Sequence, residues 1–235
     1  MERFRNRRDA GVRLGRSLSA YEHREDVIVL ALPRGGVPVG YEVSVALDAP
    51  LDVLVVRKVG LPGCEEVAMG AIASGGIQVI DRHVTKQLGL SAAQLRIAVD
   101  HETAELERRE WMFRGDRPPI AVEGMTAILV DDGLATGSTM LAAITSLRVR
   151  SPSQIIVAVP VGVPAVVMAM RTYVDELVCL LVPDPMEAVG AWYDDFSQTT
   201  DEEVRALLRA RTEVRHGIHP PSDHQYGYAS ARRAR

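Results

Sequence analysis

Five short runs constrain the fold of this chain more than any other feature: VIVLAL (27–32), LDVLVVRK (51–58), TAILV (126–130), IIVAVPV (155–161) and ELVCLLV (176–182). Their apolar stretches are far too short for a membrane span, and their β-branched residues favour strand over helix. They lack the strict alternation of a half-exposed strand, so both faces need cover. The segments following three of them, VPVGYEVSVAL, GSTMLAAITSLRV and VPAVVMAMRTY, read as helices. Strands alternating with helices give an α/β fold: a central, mostly parallel sheet flanked by helices. Such sheets bind ligands outside the carboxyl ends of their strands, near a topological switch. Loops 33–36, 58–68, 131–139 and 183–193 all follow strand candidates, so they are expected to converge on one rim.

Other elements read more simply. Residues 3–22 place Ala10, Leu14, Leu18 and Tyr21 at helical spacing, with Arg3, Arg5, Arg7 and Arg8 as a solvated basic face. Residues 91–113 form a long helix with Ser91 as N-cap and a mixed stripe of Leu95, Val99, Glu102, Leu106 and Arg109. GLPGCEEVAMG reads as a loop, AIASGG and IQVI as short strands, and residues 184–211 as a loop and a final helix. From about Thr212 periodicity is lost. His216, His219 and His224 stand there without cysteines and make no metal site.

A chain of 235 residues suffices for one well-buried domain with appendages. Its net charge of −4 gives no global field that would draw in nucleic acid or an anionic membrane. A small anionic ligand must therefore be held by local groups. Cys64 and Cys179, the two cysteines, lie in unlike surroundings and suggest a reducing compartment. The Arg-rich N-terminus lacks the apolar core of a secretory signal, so a cytoplasmic location is expected.

The chemistry concentrates in AILVDDGLATGST (127–139), where a strand runs into Asp131 and Asp132 and then a Gly/Ser/Thr turn before a helix. Gly133 and Gly137 let amides turn inward; Thr136, Ser138 and Thr139 add hydroxyls, and the helix N-terminus adds positive potential. Together they form a phosphate cradle. It is not a nucleoside-triphosphate P-loop, because the GK[ST] lysine is absent. Two carboxylates beside a phosphate site make sense when the ligand also presents hydroxyls, or when a cation intervenes. A ribose 5-phosphate unit meets both demands. The plain alternative is an Asp-capped turn with solvated carboxylates.

The stretch resembles the phosphoribosyl-pyrophosphate (PRPP) signature of type I phosphoribosyltransferases. The resemblance implies a Rossmann-like core at about 27–182 and a small hood from 1–26 and 183–212. It also implies a helical insertion at about 85–115 within one domain, 1–212, ahead of a flexible tail, 213–235. It assigns the 5-phosphate to Gly133, Leu134, Ala135, Thr136, Gly137, Ser138 and Thr139. The ribose hydroxyls and Mg²⁺, held directly or through water, fall to Asp131 and Asp132. PRGG is similar to the pyrophosphate loop of these enzymes, which brings in Arg34, Gly35 and Gly36. RKVGLPG is similar to the start of the mobile loop of adenine phosphoribosyltransferases and adds Arg57 and Lys58, without that pattern's second lysine. Glu66, on the same stretch, is a candidate catalytic carboxylate; a solvated loop residue is the plain alternative. VPDPMEAVGAWYDD resembles the base-binding segment of the hypoxanthine-guanine enzymes, pointing to Met186, Val189, Trp192 and Tyr193. The lysine that reads a 6-oxo group there has no counterpart in VPVGVP (159–164).

The expected activity is thus Mg²⁺-dependent transfer of ribose 5-phosphate from PRPP to a nitrogenous base, by a homodimer that binds neither nucleic acid nor membrane. Two alternatives are a PRPP-sensing regulator without transfer and a non-enzymatic assembly module recruiting a partner through the 91–113 helix.

Overall fold

The computed structural model describes residues 3–61, 64–87, 89 and 91–215, without the side chains of residues 61, 64–68, 82, 83, 87 and 215. Helix α1 (Arg7–Ser17) starts at Asn6, whose side chain accepts the Asp9 amide, and a single 3-10 turn, Ser19–Tyr21, follows it. The helix expected over 3–22 is therefore shorter. Its first residues are extended instead, with Phe4 bridged in parallel to Tyr193.

Strand β1 (Val27–Ala31), helix α2 (Gly36–Leu47) and strand β2 (Leu51–Val53) come next. The run expected as one strand, LDVLVVRK, splits here. Leu54 donates its amide to Ala31, whereas Val55 turns to pair with Ser74. The chain then enters a second, antiparallel sheet of β3 (Val56–Leu61), β4 (Cys64–Ala73) and β5 (Ile77–Ile80). GLPGCEEVAMG is thus mostly the two strands of a hairpin rather than a loop, its tip at residues 62–63 lying outside the described residues. Short helix α3 (Arg82–Gln87) leads to α4 (Ala92–Arg114), which opens with the expected Ser91 cap, made reciprocal by Gln94.

The remainder follows the expected alternation: β6 (Thr126–Val130), α5 (Ser138–Val149), β7 (Gln154–Val161), α6 (Pro164–Met170), β8 (Glu176–Leu181) and α7 (Asp201–Arg215). Helix α7 includes 213–215, residues expected in the tail; the rest of that tail, with its three histidines, lies outside the described residues. The parallel sheet runs β2-β1-β6-β7-β8, and every residue of β1 and β6 is buried. Its two faces feed two apolar clusters, one under α1, α2 and α7 and the other under α5 and α6. After β1 the chain steps outward to β2, then returns to the other side of β1 as β6. The switch point therefore lies between the carboxyl ends of β1 and β6, where PRGG and DDGLATG emerge.

Two packing details set the frame of that end. Gly11 and Gly15 let α1 lie directly on α2: a Cβ at Gly15 would come within 2.6 Å of the Ala46 Cβ. Helix α4 packs against β3 and β4 and adds Val99, Leu106 and Phe113 to the first of the two apolar clusters. Glu102, the acidic member of its stripe, accepts from Arg57 on β3.

Candidate active site

At the switch point two backbone turns are pressed together. A Cβ on Gly35 would sit 2.0 Å from Asp132 Oδ2, and one on Gly36 2.7 Å from the Val130 carbonyl and 2.9 Å from the Asp131 Cα. Glycine at 35 and 36 is thus required because the acidic pair fills the space a side chain would need. The peptide between Pro33 and Arg34 is cis.

The acidic pair is half-buried. Asp131 Oδ1 accepts the Asp132 amide at 2.8 Å. Burial, followed by the charge of Asp132, pushes the Asp131 carboxyl well above the ordinary carboxylate range. Burial raises Asp132 as well, but the Arg7 guanidinium opposes it, with Nε at 2.9 Å and Nη2 at 2.8 Å from Oδ2. Arg7 departs from the expected solvated face: its side chain is 12% exposed, against 78% for Arg5 and 79% for Arg8. A positive charge in the first turn of a helix opposes the macrodipole and calls for an anionic partner. Arg7 finds Asp132 and Arg8 finds Glu42. That rule was the available signal, although nothing in sequence names a partner 125 residues away.

In the loop itself, Gly133 gives close passage to the segment opposite, where a Cβ would meet Val189 Cγ1 at 2.4 Å. Leu134 does not serve the cradle as expected. Its side chain is 2% exposed, its amide donates to the Val161 carbonyl and its own carbonyl accepts from Val163. It anchors the loop to β7 and has no amide left for a phosphate. Gly137 caps α5 with φ at +72°, a left-handed conformation that favours glycine. Ala135, Thr136 and Thr139 are exposed, and the Thr136 and Ser138 hydroxyls lie 3.1 Å apart. Ala135, Thr136, Ser138 and Thr139 thus remain as the open part of the cradle, with Gly137 buried at the helix cap.

The pyrophosphate candidates separate. Arg34 is exposed, 3.8 Å from Asp201, and lines a cleft of about 170 Å³ with Arg108, Arg109 and Phe113 of α4. Arg57 and Lys58 are consecutive on a strand, so their side chains leave opposite faces and cannot hold one phosphate together. Arg57 is committed to Glu102, Nη2 to Oε2 at 2.6 Å, while Lys58 is exposed. Glu66 lies on β4, and its side chain is outside the described residues.

Of the base-binding candidates, Met186, Val189 and Trp192 are half-buried beside a small cluster of Phe4, Ala10, Val161 and Tyr193. Tyr193 is no open stacking wall. It is 4% exposed, its ring packs against Phe4 and Phe196 at centroid distances of 5.4 and 5.0 Å, and its hydroxyl donates to the Asp132 carbonyl. Its place in the sequence is near the site, but its ring serves the core. Phe196, not anticipated, carries the Arg7 guanidinium 3.8 Å above its ring.

The model of the phosphoribosyl transferase domain family matches residues 8–195. The chain belongs to this family. Two curated relatives agree, "Putative phosphoribosyl transferase Rv0571c" and "Putative phosphoribosyl transferase MT0597" of Mycobacterium tuberculosis strains H37Rv and CDC 1551. Each is 43% identical over 208 residues, covering 88% of this chain and 47% of the relative. The chain thus spans about half the length of the curated relatives it matches. A crystal structure of TT1426 from Thermus thermophilus superposes with a TM-score of 0.79 at 41% identity, covering 88% of this chain and 97% of that one. The phosphoribosyl transferase resemblance read from AILVDDGLATGST holds. Among the described residues no helix is long and apolar enough to cross a membrane.

Proposed function

We propose that this domain transfers ribose 5-phosphate from PRPP to a nitrogenous base with release of pyrophosphate, in the presence of Mg²⁺. The observation that carries the reading is the seating of Gly35 and Gly36 on Asp132 and Asp131 at the switch point, beside the cradle that opens α5. In this reading the 5-phosphate lies on Ala135–Thr139, against the amides and hydroxyls at the helix N-terminus. The ribose hydroxyls lie on Asp131 and Asp132. Pyrophosphate lies against Arg34 and the Gly35 backbone, since the Gly36 amide is already taken by the Leu32 carbonyl, and the base takes the side of Met186, Val189 and Trp192.

The donor set fits Mg²⁺ held mainly by its substrate. Among the described residues no cluster of three or more His, Cys, Asp or Glu side chains is placed to form a cage. Asp131 and Asp132 offer two carboxylates, one oxygen of which is already on Arg7. Mg²⁺ keeps several waters and takes substrate oxygens in such sites. When bound it supplies Lewis-acid stabilisation of the charge growing on the leaving pyrophosphate. The rest is the chain's own positioning work. The dyad fixes the sugar, the cradle fixes its far end, and Arg34 offers its guanidinium to the leaving group, so that the base meets the anomeric carbon in one orientation.

Incubation with PRPP, Mg²⁺ and a panel of purine, pyrimidine and other nitrogen bases tests this reading. Nucleotide and pyrophosphate in equal amounts from one class of base are expected. Binding of PRPP with no product from any base would refute transfer and leave the sensor reading.

A further inference from the structure

The Arg7 side chain is held from several sides, and each contact comes from a segment that frames the dyad. Nε and Nη2 contact Asp132 Oδ2, Nη1 donates to the Ser197 carbonyl at 2.7 Å, and the guanidinium plane rests on Phe196. A planar, always-charged group that is both stacked and hydrogen-bonded has little rotamer freedom, so whatever it binds is also fixed. The base of the side chain is fixed too. Arg7 is the first residue of α1, whose N-cap is Asn6. The preceding Phe4 donates its amide to Trp192, and Asp194 donates to Phe4. Helix α1 and segment 192–197 thus form one clamp, with Tyr193 on the Asp132 carbonyl and Arg7 on its carboxylate.

From this geometry we propose that Arg7 is a positioning residue for sugar recognition, supplied by the N-terminal helix. It holds the Asp132 carboxylate through Oδ2 and so presents Oδ1 to a ribose hydroxyl. The inference rests on the assignment of the ribose to the dyad. It adds that hydroxyl discrimination depends on a residue that itself touches no ligand. A free carboxylate would rotate about its terminal torsion and lose part of that hydrogen bond to disorder. One held by Arg7 is preorganised.

The test compares ribose 5-phosphate with 2-deoxyribose 5-phosphate by titration calorimetry, in wild type, Arg7→Gln, Arg7→Lys and Phe196→Leu. Wild type is expected to prefer the ribose form at least tenfold. Arg7→Gln should bring the ratio below threefold while its affinity for the deoxy sugar changes less than twofold. Arg7→Lys should recover part of the ratio, and Phe196→Leu, which loosens the guanidinium but keeps the charge, should lose part of it. If Arg7→Gln does not fold, the other two variants carry the test. A purely structural role for Arg7 lowers the unfolding midpoint and leaves the ratio intact, and a full ratio in these variants overturns the proposal. Equal binding of the two sugars by wild type overturns the ribose assignment itself, and this inference with it.

Discussion

The Tyr193 hydroxyl donates to the main-chain carbonyl of Asp132 at 2.6 Å, tying the segment after β8 to the acidic pair at the end of β6. Burial pushes the Tyr193 hydroxyl far above its ordinary pKa, so the donor keeps its proton at any working pH. Tyr193→Phe leaves the Asp132 carbonyl without this partner while preserving the ring packing. A loss of about 1–3 kcal/mol is expected, measured by chemical denaturation. Unchanged stability would mean that the bond contributes nothing to holding the dyad.

Asp131→Asn and Arg7→Ala carry opposite expectations for stability. Asp131 has a raised pKa in the folded state, so the folded chain holds that proton more tightly than the unfolded chain does. Its contribution to stability is fully present below the unfolded pKa and is lost as pH rises through the raised folded value. Asp131→Asn, which can still accept the Asp132 amide, is therefore expected to raise the unfolding midpoint at pH 7.5 by a few degrees, at about 2–4 °C per kcal/mol for a chain this size. The gain should shrink near pH 4. Arg7→Ala should do the reverse and lower the midpoint at pH 7.5, because it leaves the Asp132 charge half-buried without its cation. A midpoint for Asp131→Asn at or below wild type at pH 7.5 contradicts the assignment.

Arg57 and Glu102 clamp the antiparallel hairpin to α4, with side chains 25% and 18% exposed. A double-mutant cycle of Arg57→Ala and Glu102→Ala is expected to return a coupling of about 1 kcal/mol. Zero coupling in urea denaturation would show that the pair is formed without consequence, and that the face assigned to Arg57 is not its working one.

Burial pushes the Cys179 thiol up to about 11. At pH 8 its thiolate fraction is then only about 0.1%. In a Cys64→Ser background, iodoacetamide should label native Cys179 about a hundredfold more slowly than the same chain in denaturant. Equal rates would place this thiol in solvent.

Much of this architecture is legible from patterning. Runs such as TAILV and IIVAVPV are apolar on both faces, as a covered parallel strand requires, and Ser91 marks the N-cap of α4. The dyad and its loop are legible for the same reason: the chemistry sits within one continuous stretch. What sequence does not reveal depends on contacts distant along the chain. LDVLVVRK has no internal mark for the point where pairing passes from Ala31 to Ser74. Leu134 reads as one more loop amide, and only the pairing with β7 shows that its hydrogen bonds are taken. Tyr193 and Trp192 read alike as stacking candidates, and only the approach of Phe4 and Phe196 decides that Tyr193 belongs to the core. Arg7 escapes for a related reason, since one arginine in an RNRR run carries no sign of which will be buried.

The most direct test of the central claim is the unfolding midpoint with PRPP, with and without Mg²⁺, for wild type and Asp132→Asn. PRPP at about a hundred times its dissociation constant stabilises the native state by about 2.7 kcal/mol, which is several degrees here. A shift that requires Mg²⁺ and disappears in Asp132→Asn is expected. No shift at saturating PRPP, or an equal shift in the variant, would contradict the account.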